Sequence, residues 1–258
     1  MSLLESRFQS FCARLISHTL ATACIACQAF QAKTLCDACT EMISNEGLFN
    51  YECCSLCGTP LETAELVSQH CYSCLAEPPY FDTTLCLDRY DGILQNALHE
   101  LKYHRRVAFA HGLADAWNIF MAQEGINSDV SFLLPVPLSA EKLCSRGFNQ
   151  AWEISRRIQC GRHIQKLPNA LKRRHHEQAQ AQASRTQRSQ VIHEMFYLEK
   201  NYLKQLQNKN IIVFDDVMTT GATLNEIARI LKDNGATRVM NWVVLRTPRP
   251  KLSRAQYV

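Results

Sequence analysis

The chain has 258 residues, of which 47% are hydrophobic and 20% charged, with a net charge of +4. That is enough for a full α/β core with a smaller appended module. No run of about 18 apolar residues occurs. The N-terminal stretch scatters Glu5, Arg7 and Arg14 instead of placing a basic start before an apolar block, so membrane insertion and secretion are not expected and a cytoplasmic protein is.

The N-terminal third is dominated by cysteine. Eight of the 13 cysteines form four CxxC pairs, Cys24/Cys27, Cys36/Cys39, Cys54/Cys57 and Cys71/Cys74. In a chain without a secretion signal this spacing reads as tetrahedral thiolate sites for about two structural zinc ions rather than disulfides. Taken sequentially, one site uses Cys24, Cys27, Cys36 and Cys39 and the other Cys54, Cys57, Cys71 and Cys74, with crossed pairing of the turns as the alternative. A thioredoxin-like redox pair would need a βαβ context that this segment lacks. Cys12, Cys53, Cys86, Cys144 and Cys160 read as small buried or half-buried residues. Chelation is expected to unfold residues 20–75 and leave the rest largely intact.

Charge divides the chain at the same place. Residues 1–80 hold 3 Lys and Arg against 8 Asp and Glu, which leaves +9 for residues 81–258. An acidic cysteine module suits protein docking better than a grip on phosphates, which needs Lys and Arg. Pro78 and Pro79 mark the boundary, giving expected segments of 1–78, 79–248 and a basic tail at 249–258. Beyond the prolines, Ile93, Leu94, Ala97, Leu98 and Leu101 share a helical face, and 107–121 keep that period. "SFLLPVPLS" reads as a short buried strand, "NQAWEISRRIQ" as a helix and "NALKRRH" as a strand. Residues 172–195 have little period and read as a long loop or weak helix. A strand at 211–214, a helix at 222–234, a stop at Gly235 and a strand at 238–245 follow. Strands and helices in alternation imply a mostly parallel sheet covered on both faces.

The stretch "IIVFDDVMTTGATL" is the most informative. A turn from strand to helix presents free backbone N–H groups and the positive helix end, and Thr219, Thr220 and Thr223 add hydroxyls. Together these make a phosphate cup. It is neither a Walker loop nor a dinucleotide fingerprint. Asp215 and Asp216 would repel that phosphate unless they receive donors of their own, and sugar hydroxyls attached to the phosphate supply them.

This stretch resembles the phosphoribosyl-pyrophosphate (PRPP) motif of type I phosphoribosyltransferases. The whole chain is similar to the ComF family, bacterial competence proteins that join a double zinc ribbon to a phosphoribosyltransferase-like domain. The similarity rests on the four CxxC pairs, "LKYH" at 101–104, "LPVPLS" at 134–139, "RGFNQA" at 146–151 and "VFDDVMTTGATL" at 213–224. It implies that Asp215 and Asp216 hold the ribose hydroxyls and that Thr219, Thr220, Gly221, Ala222 and Thr223 cradle the 5′-phosphate. It further implies that Pro137, Leu138 and Ser139 line the pyrophosphate side, with Arg146 and Lys102 neutralising pyrophosphate and Mg²⁺ bridging it to the ribose. Asp215, Asp216 and Arg146 are the catalytic candidates.

Two readings follow from the resemblance. One is a DNA-uptake protein that binds PRPP or a related phosphate and single-stranded DNA, its zinc module engaging a competence helicase or recombination mediator. The other is an active transferase of phosphoribose to an unidentified acceptor. The basic body favours the first, as do Lys172, Arg173, Arg174, His175, His176, Arg185 and Arg188. Phe148 and Trp152 could stack bases, although Trp152 is expected in the core, and Arg246, Arg249, Lys251 and Arg254 could track a backbone.

Overall fold

The computed structural model describes residues 22–124, 129–161, 163–174 and 195–249. Near the N-terminus, a pair of knuckles are built alike. After β1 (Thr22–Ala23), the Cys24 carbonyl accepts from Gln28 N–H and the Cys24 N–H donates to Ala29, before the antiparallel partner β2 (Phe30–Gln31). Thirty residues on, the Cys54 carbonyl accepts from Gly58 N–H and the Cys54 N–H donates to Thr59. Gln28 and Gly58 hold equivalent left-handed positions, at φ 61° and 65°. Each second CxxC opens a helix, Cys36 preceding α1 (Asp37–Glu46) and Cys71 preceding α2 (Tyr72–Ala76).

Pro78 and Pro79 fall in the connection to β3 (Thr83–Arg89). In order there follow α3 (Gln95–Tyr103), α4 (Ala108–Glu124), β4 (Val130–Pro135), α5 (Ala140–Arg146), α6 (Gln150–Ser155) and β5 (Gln165–Lys166). Next come β6 (Leu171–Arg173), β7 (Phe196–Leu198), α7 (Leu203–Leu206), β8 (Asn210–Met218), α8 (Ala222–Asp233) and β9 (Arg238–Arg246). Five strands form one sheet in the order β3-β9-β8-β4-β5, every pair parallel. β6, within the stretch "NALKRRH" read as a strand, and β7, just beyond the 172–195 stretch read as a loop, form a separate antiparallel ribbon, and residues 175–194 between them lie outside the described residues.

Both faces are covered, as a parallel sheet requires. Ile212 and Phe214 of β8 face one core with Trp117, Trp242, Ile154 and Leu98, while Ile211 and Val213 face the other with Ile227, Leu231 and Val243. Helices α3, α4 and α6 therefore cover one side and α8 the opposite one. The chain leaves β4 toward β5 but leaves β8 toward β9, so strand order reverses between β4 and β8. The carboxyl ends of such a pair open the crevice in which ligands of open α/β sheets bind.

The cysteine module is fused to both cores. Cys24, Ile25, Leu35, Cys39 and Ile43 belong to the first, and Cys54, Cys57, Cys71 and Cys74 to the second. A Cβ on Gly112 of α4 would lie 2.5 Å from Ile25 Cγ2. The module's apolar side is therefore also part of the cover of the sheet domain.

Candidate phosphate site and thiolate centres

The sulfurs of Cys24, Cys27, Cys36 and Cys39 all lie within 4.8 Å of one another, and so do those of Cys54, Cys57, Cys71 and Cys74. The pairing is the sequential one. A tetrahedron with Zn–S bonds of about 2.3 Å has sulfur–sulfur edges of about 3.8 Å. The separations Cys27 Sγ–Cys36 Sγ, 3.8 Å, and Cys57 Sγ–Cys71 Sγ, 3.7 Å, fit it. Both donor sets suit zinc. Among the remaining described cysteines Cys86 is buried and Cys53 and Cys160 half-buried as expected, but Cys144 is exposed, because α5 buries none of its residues. Cys12 lies outside the described residues.

The second constellation grows from β8. The strand runs through both aspartates rather than ending before them, since β9 pairs alongside as far as Met218 opposite Arg246. On the other side β4 stops where Pro135 faces Phe214. Asp215 and Asp216 therefore project beyond β4, at the reversal of strand order. The loop Pro137–Leu138–Ser139 leaves from the same spot, held by Val136 N–H donating to the Phe214 carbonyl at 2.9 Å and by Asn149 Nδ2 donating to the Val136 carbonyl at 2.9 Å. Ser139 Oγ then caps α5, accepting from Lys142 N–H.

Asp216 is buried and forms an ion pair with Lys102 Nζ at 2.9 Å. Lys102 thus meets an aspartate in this structure, and its approach from α3 follows from Asp216 lying on the α3 side of the sheet. Burial, and next the negative Asp216, push the Asp215 carboxyl well above the usual carboxylate range. Arg146, the last residue of α5, lies over the ring of Tyr103, 5.7 Å from its centre, next to Lys102.

Past Met218, Thr219 and Thr220 are exposed, and Gly221 takes the position before α8 at φ 84°. A Cβ there would fall 2.6 Å from Met218 Cε, the movable end of a flexible side chain, so it is the left-handed φ that calls for glycine. With no side chain to cap it and no acid in its first turn, the N-terminus of α8 is open to an anion. Ala222 N–H donates only a long bond, 3.4 Å, to Thr220 Oγ1, and Thr223 sits half-buried on the first turn. This cup opens into a cleft of about 640 Å³ whose opposite wall is Cys57, Cys71, Cys74 and Tyr80.

The basic residues read as a DNA-tracking tail behave otherwise. Arg246 is 6% exposed and donates from Nε to the Cys57 carbonyl (3.1 Å) and from Nη1 to the carbonyls of Met218 (3.1 Å), Thr247 (3.0 Å) and Thr219. Arg249 makes a two-pronged pair with Glu65, at 2.8 and 2.7 Å, and donates to the Pro60 carbonyl. Both bind the cysteine module to the sheet, which sequence reasoning missed. A signal existed for Arg246, which directly follows "VVL" in a strand buried on both faces. Arg173 and Arg174 lie over the rings of Phe196 and Tyr197 in the β6–β7 ribbon. Phe148 packs against the first core and Trp152 is half-buried. His175, His176, Arg185, Arg188, Lys251 and Arg254 lie outside the described residues. No described helix is long and apolar enough to cross a membrane.

The phosphoribosyl transferase domain family matches residues 145–258. Competence protein F of Haemophilus influenzae is 28% identical over 217 residues, covering 82% of this chain and 90% of that one. The DNA utilization protein YhgH of Escherichia coli K12 is 28% identical, covering 75% and 84%. Competence protein ComFC of Bacillus subtilis is 27% identical, covering 75% and 78%. A solved hypoxanthine phosphoribosyltransferase of Staphylococcus aureus aligns at 14% identity over 56% of this chain and 67% of that one, with a TM-score of 0.32. The fold is α/β of the type I phosphoribosyltransferase kind, with a cysteine-rich module at its N-terminal side.

Proposed function

From its homology to the ComF competence proteins, with a phosphoribosyltransferase-type domain joined to two thiolate centres, we propose that this chain serves DNA uptake by binding PRPP, or a related sugar phosphate, at the carboxyl end of β8. One observation carries the reading: an uncapped helix N-terminus and two aspartates sit within a few residues of each other, at the reversal of strand order. A phosphate needs the first and ribose hydroxyls need the second. Thr219, Thr220, Gly221, Ala222 and Thr223 cradle the 5′-phosphate, Asp215 and Asp216 accept from the ribose, and the Pro137–Ser139 loop with Arg146 faces pyrophosphate. A Mg²⁺ ion bound with PRPP would supply further neutralisation of its pyrophosphate charge. Lys102 stays paired with Asp216 until a ligand competes for it. Cys24, Cys27, Cys36 and Cys39 hold one zinc and Cys54, Cys57, Cys71 and Cys74 another, both structural.

Single-stranded DNA is the second ligand in this reading, gripped by the basic body around Arg173 and Arg174, while the acidic module engages a helicase or recombination mediator. Titration of the same sample with PRPP and with single-stranded DNA tests both. PRPP is expected to bind in the presence of Mg²⁺, and DNA affinity to fall with salt at a slope of about −0.7 per phosphate neutralised. Changing Arg173, Arg174, Arg185 and Arg188 together to Ser should flatten that slope and leave PRPP binding unchanged. Absence of PRPP binding would overturn the site assignment. The transferase alternative draws on the same paired aspartates and predicts pyrophosphate release with a defined acceptor.

A further inference from the structure

The phosphate cup and the second thiolate centre are two walls of one cleft, Thr219–Ala222 on one side and Cys57, Cys71 and Cys74 on the other. A single side chain joins them from beneath. The guanidinium of Arg246 is buried, and no carboxylate among the described residues pairs with it. Its protein acceptors are the carbonyls of Cys57, Met218, Thr219 and Thr247. The first belongs to the metal knuckle, and the second and third are the peptides that lead into the cup.

Neither end has slack. A Cβ at Gly58, directly after Cys57, would lie 3.0 Å from Cys86 Sγ, and Ser55 of the same knuckle accepts from Thr83 Oγ1 at 2.9 Å, which seats the knuckle on β3. At the other end Met218 Cε fills the space beside Gly221, and the Met218 carbonyl also accepts from Thr247 N–H (3.0 Å) and Thr247 Oγ1 (3.3 Å).

We infer that Arg246 couples the second thiolate centre to the phosphate cup, so that metal held by Cys54, Cys57, Cys71 and Cys74 and an anion held at Thr219–Thr223 stabilise one another. This rests on the cup reading given above. Loss of the metal frees the Cys57 carbonyl and leaves a buried guanidinium donor without its acceptor, which is costly. The guanidinium then turns, and the Met218 and Thr219 peptides that aim the cup turn with it. An anion in the cup fixes the same peptides from the other side and so tightens the knuckle. Linkage makes the two effects equal in size. Arg246 acts here as a positioning residue, since all its bonds go to backbone carbonyls.

The test uses the full zinc-loaded chain. Zinc release to a colorimetric chelator is followed in excess Mg²⁺ with and without saturating PRPP, and PRPP binding is measured separately by calorimetry. The expected result is a zinc affinity raised by PRPP, roughly fivefold or more at about one of the two sites, seen as slower release of that zinc while the other is released at its original rate. Arg246→Met should bind PRPP more weakly and lose the protection. Should that variant fail to fold, Arg246→Lys keeps the cation but not the fork and should lose the protection as well. PRPP that binds the parent chain yet leaves both release phases unchanged overturns the coupling alone, and so does full protection in a folded Arg246 variant. PRPP that does not bind the parent chain at all overturns the cup reading and the coupling with it.

Discussion

Glu65 is the best place to measure what welds the cysteine module to the sheet. Its carboxylate is fully enclosed and accepts four hydrogen bonds, from Glu62 N–H (2.9 Å), Tyr72 N–H (2.8 Å) and the two Arg249 nitrogens (2.8 and 2.7 Å). Glu65→Gln preserves the shape but removes the charge, and turns an amide donor toward groups that are themselves donors. Breaking a buried pair by removing one partner costs about 3 to 5 kcal/mol. Arg249 keeps 26% of its side chain in water, so hydration takes up some of its stranded charge and the expected loss is about 3 kcal/mol. For a chain of this size that corresponds to a Tm lower by roughly 6 to 12 °C.

Urea unfolding at neutral pH of the parent, Glu65→Gln, Arg249→Met and the double variant gives the coupling directly. It should reach about 2 kcal/mol, because two charge-assisted bonds are shared by the pair. The sign with pH is also fixed. The Arg249 guanidinium holds the Glu65 carboxyl down at about 2, below its ordinary 4.5, so its contribution is fully present above pH 4.5 and is lost as pH falls toward 2. Protons strip thiolate-bound zinc in acid as well, so the cycle is read between pH 6 and 8, where the gap should be flat. A Glu65→Gln protein as stable as its parent at pH 7 would refute the reasoning.

Elemental analysis should find about two zinc per reduced chain, and near-zero zinc would sink the thiolate assignment. Because both cysteine clusters lie in the two sheet cores, chelation should remove hydrogen-exchange protection from α4 and β3 as well as from residues 22–76, an outcome a separable module would not give. Asp215→Asn and Asp216→Asn should each weaken PRPP binding by roughly 1.5 to 3 kcal/mol per charged hydrogen bond lost, and unchanged calorimetric affinity in both would contradict their role. Asp215, with its raised pKa, holds a proton in the folded chain that the unfolded chain has released, so stability falls as pH rises through that window while affinity for ribose hydroxyls rises. Asp216→Asn removes the neighbouring charge and should move the rise in affinity to lower pH, as a binding titration over pH would report. Gly221→Ala forces a side chain into a left-handed φ of 84°, costing about 1 to 3 kcal/mol and weakening phosphate binding in the same titration.

Much of the chemistry was legible in the sequence because it depends on local spacing. Two thiolates three residues apart can meet one metal whatever surrounds them, so the fourfold CxxC pattern pointed to thiolate metal sites, while which two turns share a site was decided by the fold. The apolar run ending in Asp215 and Asp216 and followed by Thr-Thr-Gly-Ala-Thr likewise specifies strand, turn and helix start through short-range geometry alone. The parallel sheet followed from alternation of strands and helices, and the stop at Gly235 from glycine's fitness for a left-handed position after a helix, which it holds here at φ 89°.

What the sequence could not decide was where long side chains end. Arg246 and Arg249 read as part of a basic tail that could track a nucleic-acid backbone, since a charge after the last strand normally faces water. Only the packing of β9 against the second knuckle puts Arg246 under the cup and Arg249 on Glu65, 184 residues away along the chain. Lys102 could be placed on a helix but not on Asp216, because that contact depends on which face of β8 each aspartate takes and on which helix covers it. Whether the cysteine module stands apart was equally closed to sequence, since acidic composition and paired prolines describe a boundary but say nothing of the apolar surface shared across it. Those outcomes belong to the tertiary structure, where burial leaves each charge only the partners that packing brings within reach.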